Sequence, residues 1–262
     1  SAEAASPALG DVGATATADW TLAGRTLCNA GSQGAPLFWL QLTPPPGSAA
    51  LAADAWQPGA LVEVLPEQAP ATVDALLQRH GHTGDERVHW GGQAVGLRDA
   101  LARSIAPLPG SVPDGATAQA VADALQPLAP RSYSVASLPG DGHVGLLVRQ
   151  VRHDAGLGLA SGWLTAHAPL GTPVALRLVE NMAFAPVPGN APAVFIGNGS
   201  GYAGLRGLLL ARIRAGQYRN WLLFGERQRA YDAFCAREAA GWLAAGQLER
   251  ADFVYSRDQA ER

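Results

Sequence analysis

Lysine is absent: all 19 residues in the Lys-plus-Arg count are arginine. A chain without lysine has no P-loop lysine and cannot use a Schiff base. Any phosphate it grips with a basic side chain must be held by a guanidinium fork. Cysteine is nearly as scarce. Cys28 and Cys235 are the only two, too few to ligate an iron–sulfur cluster or a structural zinc. Two isolated thiols in a chain this long predict reduced, intracellular residues; the expected location is the cytoplasm, or the cytoplasmic side of a membrane-attached parent protein. Charged residues make up 16% with a net charge of −3, so there is no basic field to attract nucleic acid. No apolar run reaches the length needed to span a bilayer, and Leu205 to Leu210 is far too short. There is no internal repeat, coiled-coil heptad or Gly-x-Ser-x-Gly elbow. His80-Gly-His82 has no third placed ligand, so no metal site is expected. The chain opens on Ser1 without a signal peptide, which predicts a piece of something longer.

What is present is apolar: 48% of the 262 residues are hydrophobic, enough for one large domain or two modest ones. Residues 1–16 are small and polar and predict a linker. Residues 17–186 read as an antiparallel β-barrel with a short helical insert. Strand-like runs lie at Leu37 to Leu42, Leu61 to Leu65, Arg131 to Ala136, Val144 to Val151 and Thr172 to Val179, with a weaker one at Arg25 to Cys28. Thr72 to Arg79 is patterned as a helix. Two more, Leu97 to Ile105 and Ala118 to Leu128, form an insert at about 97–128. The proline-rich stretch Met182 to Pro192 predicts a boundary. Residues 190–262 then alternate β-α-β-α-β: strands at Ala193 to Ile196, Trp221 to Phe224 and Asp252 to Tyr255, helices at Tyr202 to Ala215 and Tyr231 to Ala245. That order predicts a parallel sheet with crossover helices.

Several patterns carry chemistry. Gly197-Asn-Gly199-Ser200-Gly201 follows a strand and opens a helix, where backbone N–H groups can meet a pyrophosphate. An ordinary turn would look the same, but Arg206 in the same helix favours the phosphate. The next two strands end in Gly225-Glu226-Arg227 and Ser256-Arg257-Asp258, and ligands of parallel sheets bind at these carboxyl ends. A hydroxyl beside an arginine suits a ribose 2′-phosphate, which favours NADP over NAD; a solvated arginine is the bland alternative. In Arg131-Ser132-Tyr133-Ser134, strand alternation sends Arg131 and Tyr133 to one face and Ser134 to the other. Arginine can grip a pyrophosphate and tyrosine can cover a flavin, though any half-exposed strand could carry the same residues. The glycine-rich Gly156 to Leu164 offers a second backbone nest.

Taken together, these motifs resemble the ferredoxin–NADP reductase superfamily, in its diflavin branch of sulfite reductase flavoproteins and microsomal cytochrome reductases. The resemblance runs from about residue 17 to the end. Arg131-Ser-Tyr133-Ser134 matches the flavin motif and Gly158-Leu-Ala-Ser161-Gly-Trp-Leu the pyrophosphate segment. Gly197 to Gly207 matches the NADPH loop, and Ser256-Arg257-Asp258-Gln259 the 2′-phosphate clamp. The resemblance implies FAD and NADPH as cofactors. It places Arg131 on the FAD pyrophosphate and Tyr133 on the isoalloxazine. Ser134 falls beside the hydride-accepting nitrogen as the catalytic residue, and Gly158 and Ser161 on FAD phosphate. Gly199, Ser200 and Arg227 fall on the NADPH pyrophosphate, and Ser256 and Arg257 on its 2′-phosphate. The partner it implies is a flavodoxin-like FMN domain or another electron carrier. The chain departs from the pattern in places. Ser200 stands for a threonine, and Tyr202 and Gly204 for Ile and Pro. The family's later Lys, Tyr, Cys-Gly-Asp and terminal aromatic are missing, so the NADP domain is expected to be incomplete. The alternative function is an FAD-binding fragment without turnover, and a third is a colourless structural domain. Cys235 reads as a buried mid-helix residue rather than the family's active-site cysteine.

Overall fold

The computed structural model describes residues 15–48, 55–108, 110–154, 156–186 and 189–258. Its first body is a six-stranded antiparallel barrel. The chain lays down β1 (Ala18–Leu27), β2 (Leu37–Thr43) and β3 (Leu61–Val64). It then departs into an insert made of α1 (Pro70–His80), the hairpin β4 (Arg87–Trp90) and β5 (Gln93–Gly96), α2 (Leu97–Ala102) and α3 (Ala118–Asp123). A two-residue bridge, β6 (Ser104–Ile105) with β7 (Gln126–Pro127), closes the base of the insert. The barrel resumes at β8 (Arg131–Ser134) and β9 (Val144–Arg149). A short hairpin of β10 (Arg152–His153) and β11 (Gly156–Leu157) leads to α4 (Leu159–Gly162), and β12 (Pro173–Val179) completes the sheet. The strand order is β8-β3-β12-β1-β2-β9. The Ala136 N–H donates to the Gly145 carbonyl at 2.8 Å and draws the two edges together. Alternate residues fill the interior: Trp20 and Leu22, Leu40 and Leu42, Val62 and Val64, Leu146 and Val148, Val174 and Leu176. This is the period-two burial of strands with one wet face, except in β9, whose other face, at Leu147, is buried against the α/β body.

The second body is a three-stranded parallel sheet, β13 (Ala193–Asn198), β14 (Asn220–Glu226) and β15 (Arg250–Tyr255). Helix α5 (Tyr202–Arg214) joins the first pair of strands. Two shorter helices, α6 (Arg229–Asp232) and α7 (Ala236–Ala244), join the second. The β-α-β-α-β order is therefore as expected. Leu37, Ala136, Leu138 and Leu147 of the barrel share one buried cluster with Tyr202, Leu205, Leu209 and Phe224 of the α/β body. A continuous apolar core thus joins the two bodies.

Several expectations are corrected. The helix expected over Tyr231 to Ala245 breaks at residues 233–235, and Cys235 caps α7 instead of lying mid-helix. The physical cause is Asp232. Its buried carboxylate accepts from Asn29 Nδ2 at 3.2 Å and Ser32 Oγ at 3.0 Å on the barrel side, and from the Gln228 N–H at 3.1 Å. Both helices of the insert stop early, at Ala102 and Asp123, because their expected ends pair as β6 and β7. The insert also takes in more than residues 97–128, since Val73, Leu76, Leu77 and Val88 pack with Leu97, Leu101 and Val121. Strand β1 is longer than Arg25 to Cys28, and β13 runs on into the glycine cluster. Of the expected linker, residues 1–14 lie outside the description. Thr15 is strapped to β12, its N–H donating to the Leu178 carbonyl at 2.9 Å.

Candidate dinucleotide cleft between the barrel and the sheet

The carboxyl ends of β13, β14 and β15 open onto a cavity of about 400 Å³. Its lining is Asn198 and Gly199 from the first strand and turn, Gly225, Glu226 and Arg227 from the second, and Val254 and Ser256 from the third. Arg149 reaches in from the end of β9 in the barrel. Gly199 sits at φ +55, a left-handed conformation that suits glycine. Its backbone turns beneath Arg149: a Cβ there would stand 3.1 Å from Arg149 Nη2 and 3.7 Å from Glu226 Oε1. The strand ends are tied side by side. The Ser256 N–H donates to the Glu226 carbonyl at 2.9 Å and the Arg257 N–H to the Arg227 carbonyl at 2.8 Å. Gly199, Arg227 and Ser256 thus meet in one cavity. Ser200 and Arg257 adjoin that lining in sequence without forming part of it. Gln259 lies outside the described residues.

The flavin-motif strand approaches the same region from the barrel. A Cβ on Gly204, in the first turn of α5, would come 3.5 Å from Ser134 Cβ and 2.9 Å from the Phe184 ring. One on Gly207 would come 2.9 Å from the Val135 carbonyl oxygen. Two glycines in one helix therefore let α5 lie directly on the end of β8. Tyr133 is half-buried opposite Val62 and packs on the barrel core. Arg131 is half-exposed. Its guanidinium donates only to the adjacent Ala129 and Pro130 carbonyls, both at 3.2 Å, and pairs with no carboxylate among the described residues.

Gly158 and Ser161 start α4. The Ser161 hydroxyl accepts from the Val151 N–H at 3.1 Å and donates to the Gly158 carbonyl at 3.4 Å, and the residue is 2% exposed. Its hydroxyl shapes the turn, while the first-turn N–H groups of the helix have no intrahelical acceptor. Arg206, which favoured a phosphate in the sequence, is engaged elsewhere. It forks onto Glu238 at 2.7 and 2.9 Å, donates to the Ala136 carbonyl at 2.6 Å and stacks on Trp39 at 5.1 Å. It ties the two bodies together.

Electrostatics separate the structural groups from the responsive ones. Burial pushes the Cys235 thiol up to about 12, with Glu226 and Glu238 adding to the shift, so it carries no thiolate chemistry at neutral pH. Burial likewise raises the Glu226 carboxyl above the usual range; Arg149 opposes the shift and Asp232 adds to it. Arg149 was not singled out in the sequence, and Glu226 stood there only as part of the strand end Gly225-Glu226-Arg227. The signal available was an arginine ending the otherwise apolar run Val144-Gly-Leu-Leu-Val148. His82 is held by Glu86 at 3.3 Å and the Ala116 carbonyl at 3.0 Å. No cluster able to bind a metal occurs among the described residues, nor any helix long and apolar enough to cross a membrane.

A six-stranded antiparallel barrel docked through β8 and β9 onto a parallel β-α-β-α-β sheet is a ferredoxin–NADP reductase-like two-domain fold. The fold is similar to that of the ferredoxin–NADP⁺ reductase from Plasmodium falciparum, with a TM-score of 0.59 and 9% identity, covering 93% of this chain and 71% of that one. In sequence the chain is similar to sulfite reductase [NADPH] flavoprotein alpha-components, which are diflavin reductases. It is 29% identical to that of Vibrio cholerae over 256 residues, 79% of this chain and 42% of the relative. It is 35% identical to that of Neisseria meningitidis over 154 residues, 56% of this chain and 26% of the relative. The chain therefore spans less than half the length of the curated relatives it matches. No family model matches it.

Proposed function

We propose that this module is a cytoplasmic flavoprotein oxidoreductase that binds FAD on the barrel and NADPH on the sheet. It takes hydride from NADPH and passes electrons singly to an FMN domain or another carrier. The observation that carries this reading is the close approach of Ser134 to the first turn of α5, where a Cβ on Gly204 would come 3.5 Å from Ser134 Cβ. It joins the flavin-motif strand to the helix that leaves the Gly199 turn.

The residues present fit FAD. Arg131 has no carboxylate partner among the described residues, and a guanidinium free of carboxylate matches a pyrophosphate. The turn that Gly158 and Ser161 build presents the first-turn N–H groups of α4, beyond Gly158's own, to the same anion. Tyr133 supplies an aromatic face and Ser134 a hydroxyl that donates beside it. When bound, FAD supplies the chemistry of accepting a hydride and returning its electrons one at a time. The protein's own residues align and desolvate. The apolar seam of Leu37, Leu138, Leu147 and Leu205 keeps water out and fixes the two bodies at one separation. Gly199, Ser200 and Arg227 hold the NADPH diphosphate, and Ser256 and Arg257 its 2′-phosphate.

The purified chain, supplied with FAD, should retain the flavin absorbance, and anaerobic NADPH should bleach it. Retention without bleaching assigns binding without turnover, and a chain that stays colourless refutes the reading.

A further inference from the structure

We propose that Arg149 is an additional ligand for the dinucleotide diphosphate, supplied by the barrel to a site built mainly by the sheet, and that Glu226 competes with the nucleotide for it. This deepens the nucleotide reading above and rests on it.

The geometry is specific. Arg149 closes β9, yet its guanidinium leaves the barrel and lines the cavity with Gly199, Arg227 and Ser256. Nη1 donates to the Ala35 carbonyl at 3.0 Å, which fixes one side of the fork. Nη2 donates to Glu226 Oε1 at 3.3 Å, a long contact for an ion pair, and lies over the Gly199 turn. The Glu226 side chain is 5% exposed, against 25% for Arg149. A carboxylate in a cleft that receives phosphates is a repulsive element, and Arg149 is its partner in the cavity. Phosphate oxygens arriving at the Gly199 turn meet Nη2 first, and an arginine fork suits them better than one distant carboxylate oxygen.

Moving the guanidinium onto phosphate leaves Glu226 buried with a weakened counter-charge. The groups facing it are Arg149 from β9, Arg227 just after β14, Asp232 from α6, Cys235 at the start of α7 and Tyr255 from β15. Asp232 disfavours the ionised form, Cys235 and Tyr255 are neutral, and Arg227 is drawn to the same diphosphate. Glu226 therefore takes up a proton as nucleotide binds. The sign follows: its folded-state pKa already lies above the usual value, so the neutral carboxyl forms as pH falls toward that range, and nucleotide affinity rises with it.

The test uses the full 262-residue chain loaded with FAD. NADP⁺ and adenosine 2′-phosphate are titrated calorimetrically at two pH values, in two buffers of different ionisation enthalpy. Adenosine 2′-phosphate lacks the diphosphate and reports only on the Ser256–Arg257 end. Arg149→Gln should weaken NADP⁺ about 10- to 100-fold, the range for a lost charge-assisted hydrogen bond, and leave adenosine 2′-phosphate unchanged. Glu226→Gln should tighten NADP⁺ at the higher pH and abolish the proton uptake seen with the parent. If Arg149→Gln binds NADP⁺ as the parent does, or weakens both ligands alike, the Arg149 assignment is wrong while the nucleotide site stands. Absent proton uptake in the parent removes the competition by Glu226. A parent chain that binds neither ligand overturns the nucleotide reading itself, and the assignment with it.

Discussion

At the scale of single residues, the cleft separates side chains that build it from side chains left free to bind. Ser161, Arg206 and Asp232 spend their polar groups on the protein. They hold a turn, tie the bodies and stop a helix, respectively. Arg257 is different. Its backbone is fixed to Arg227, but the exposed side chain has no ion pair among the described residues and can pair with an added phosphate at little cost. Arg257→Ala should raise the KM for NADPH by about 10- to 100-fold, the effect of one lost charge-assisted contact. The KM for NADH should hardly move. Steady-state kinetics with both nucleotides decides it, because equal increases would remove the 2′-phosphate role.

At the scale of elements, α5 does two jobs: it follows the Gly199 turn and lies on the barrel through Gly204 and Gly207. Gly207→Val would force a branched side chain against the Val135 carbonyl, which a Cβ alone would approach to 2.9 Å. Overpacking of this kind costs about 1–3 kcal/mol. The expected result is a chain that still retains FAD but is reduced by NADPH more slowly. Stopped-flow bleaching alongside flavin content measures both, and an unchanged rate would mean that the seating of α5 does not set the transfer geometry. The same elements show what could be read from the sequence. The β-α-β-α-β order was legible because apolar strands and helices alternate there with turn residues between them. The break before α7 was not. The apolar pattern of Tyr231 to Ala245 runs through it, and its cause is Asn29 and Ser32, about two hundred residues away. Arg149 was hidden for a related reason, since an arginine at a strand end reads as solvated until the other body is in place. The hairpin of β4 and β5 had a local signal that went unused: Gly91-Gly92, both at positive φ, is a sequence that favours a two-residue hairpin turn.

At the scale of the whole molecule, the parallel sheet is unevenly covered. Phe195, Leu222 and Phe224 face α5 and α7 and are nearly fully buried. On the opposite face, Ile196 is 67%, Val194 54% and Val254 47% exposed. Parallel sheets are stable when both faces are covered, because their strands are apolar on both sides. Trp221 on that opposite face is stacked by Arg250 and bonded to Asp252, but the exposed aliphatic side chains beside it attract hydrophobic dyes and other copies of the chain. The 262-residue polypeptide should therefore bind anilinonaphthalene sulfonate while fully folded, with fluorescence that falls as copies associate at higher concentration. Ile196→Thr keeps the β-branched shape that suits a strand and should lower the dye signal without lowering the melting temperature. The barrel body offers an internal control: its inward residues, such as Leu40 and Val62, are fully buried and give the dye no foothold. A folded chain that leaves the dye dark would mean this face is covered in solution, and Ile196→Thr would then cost stability instead of fluorescence.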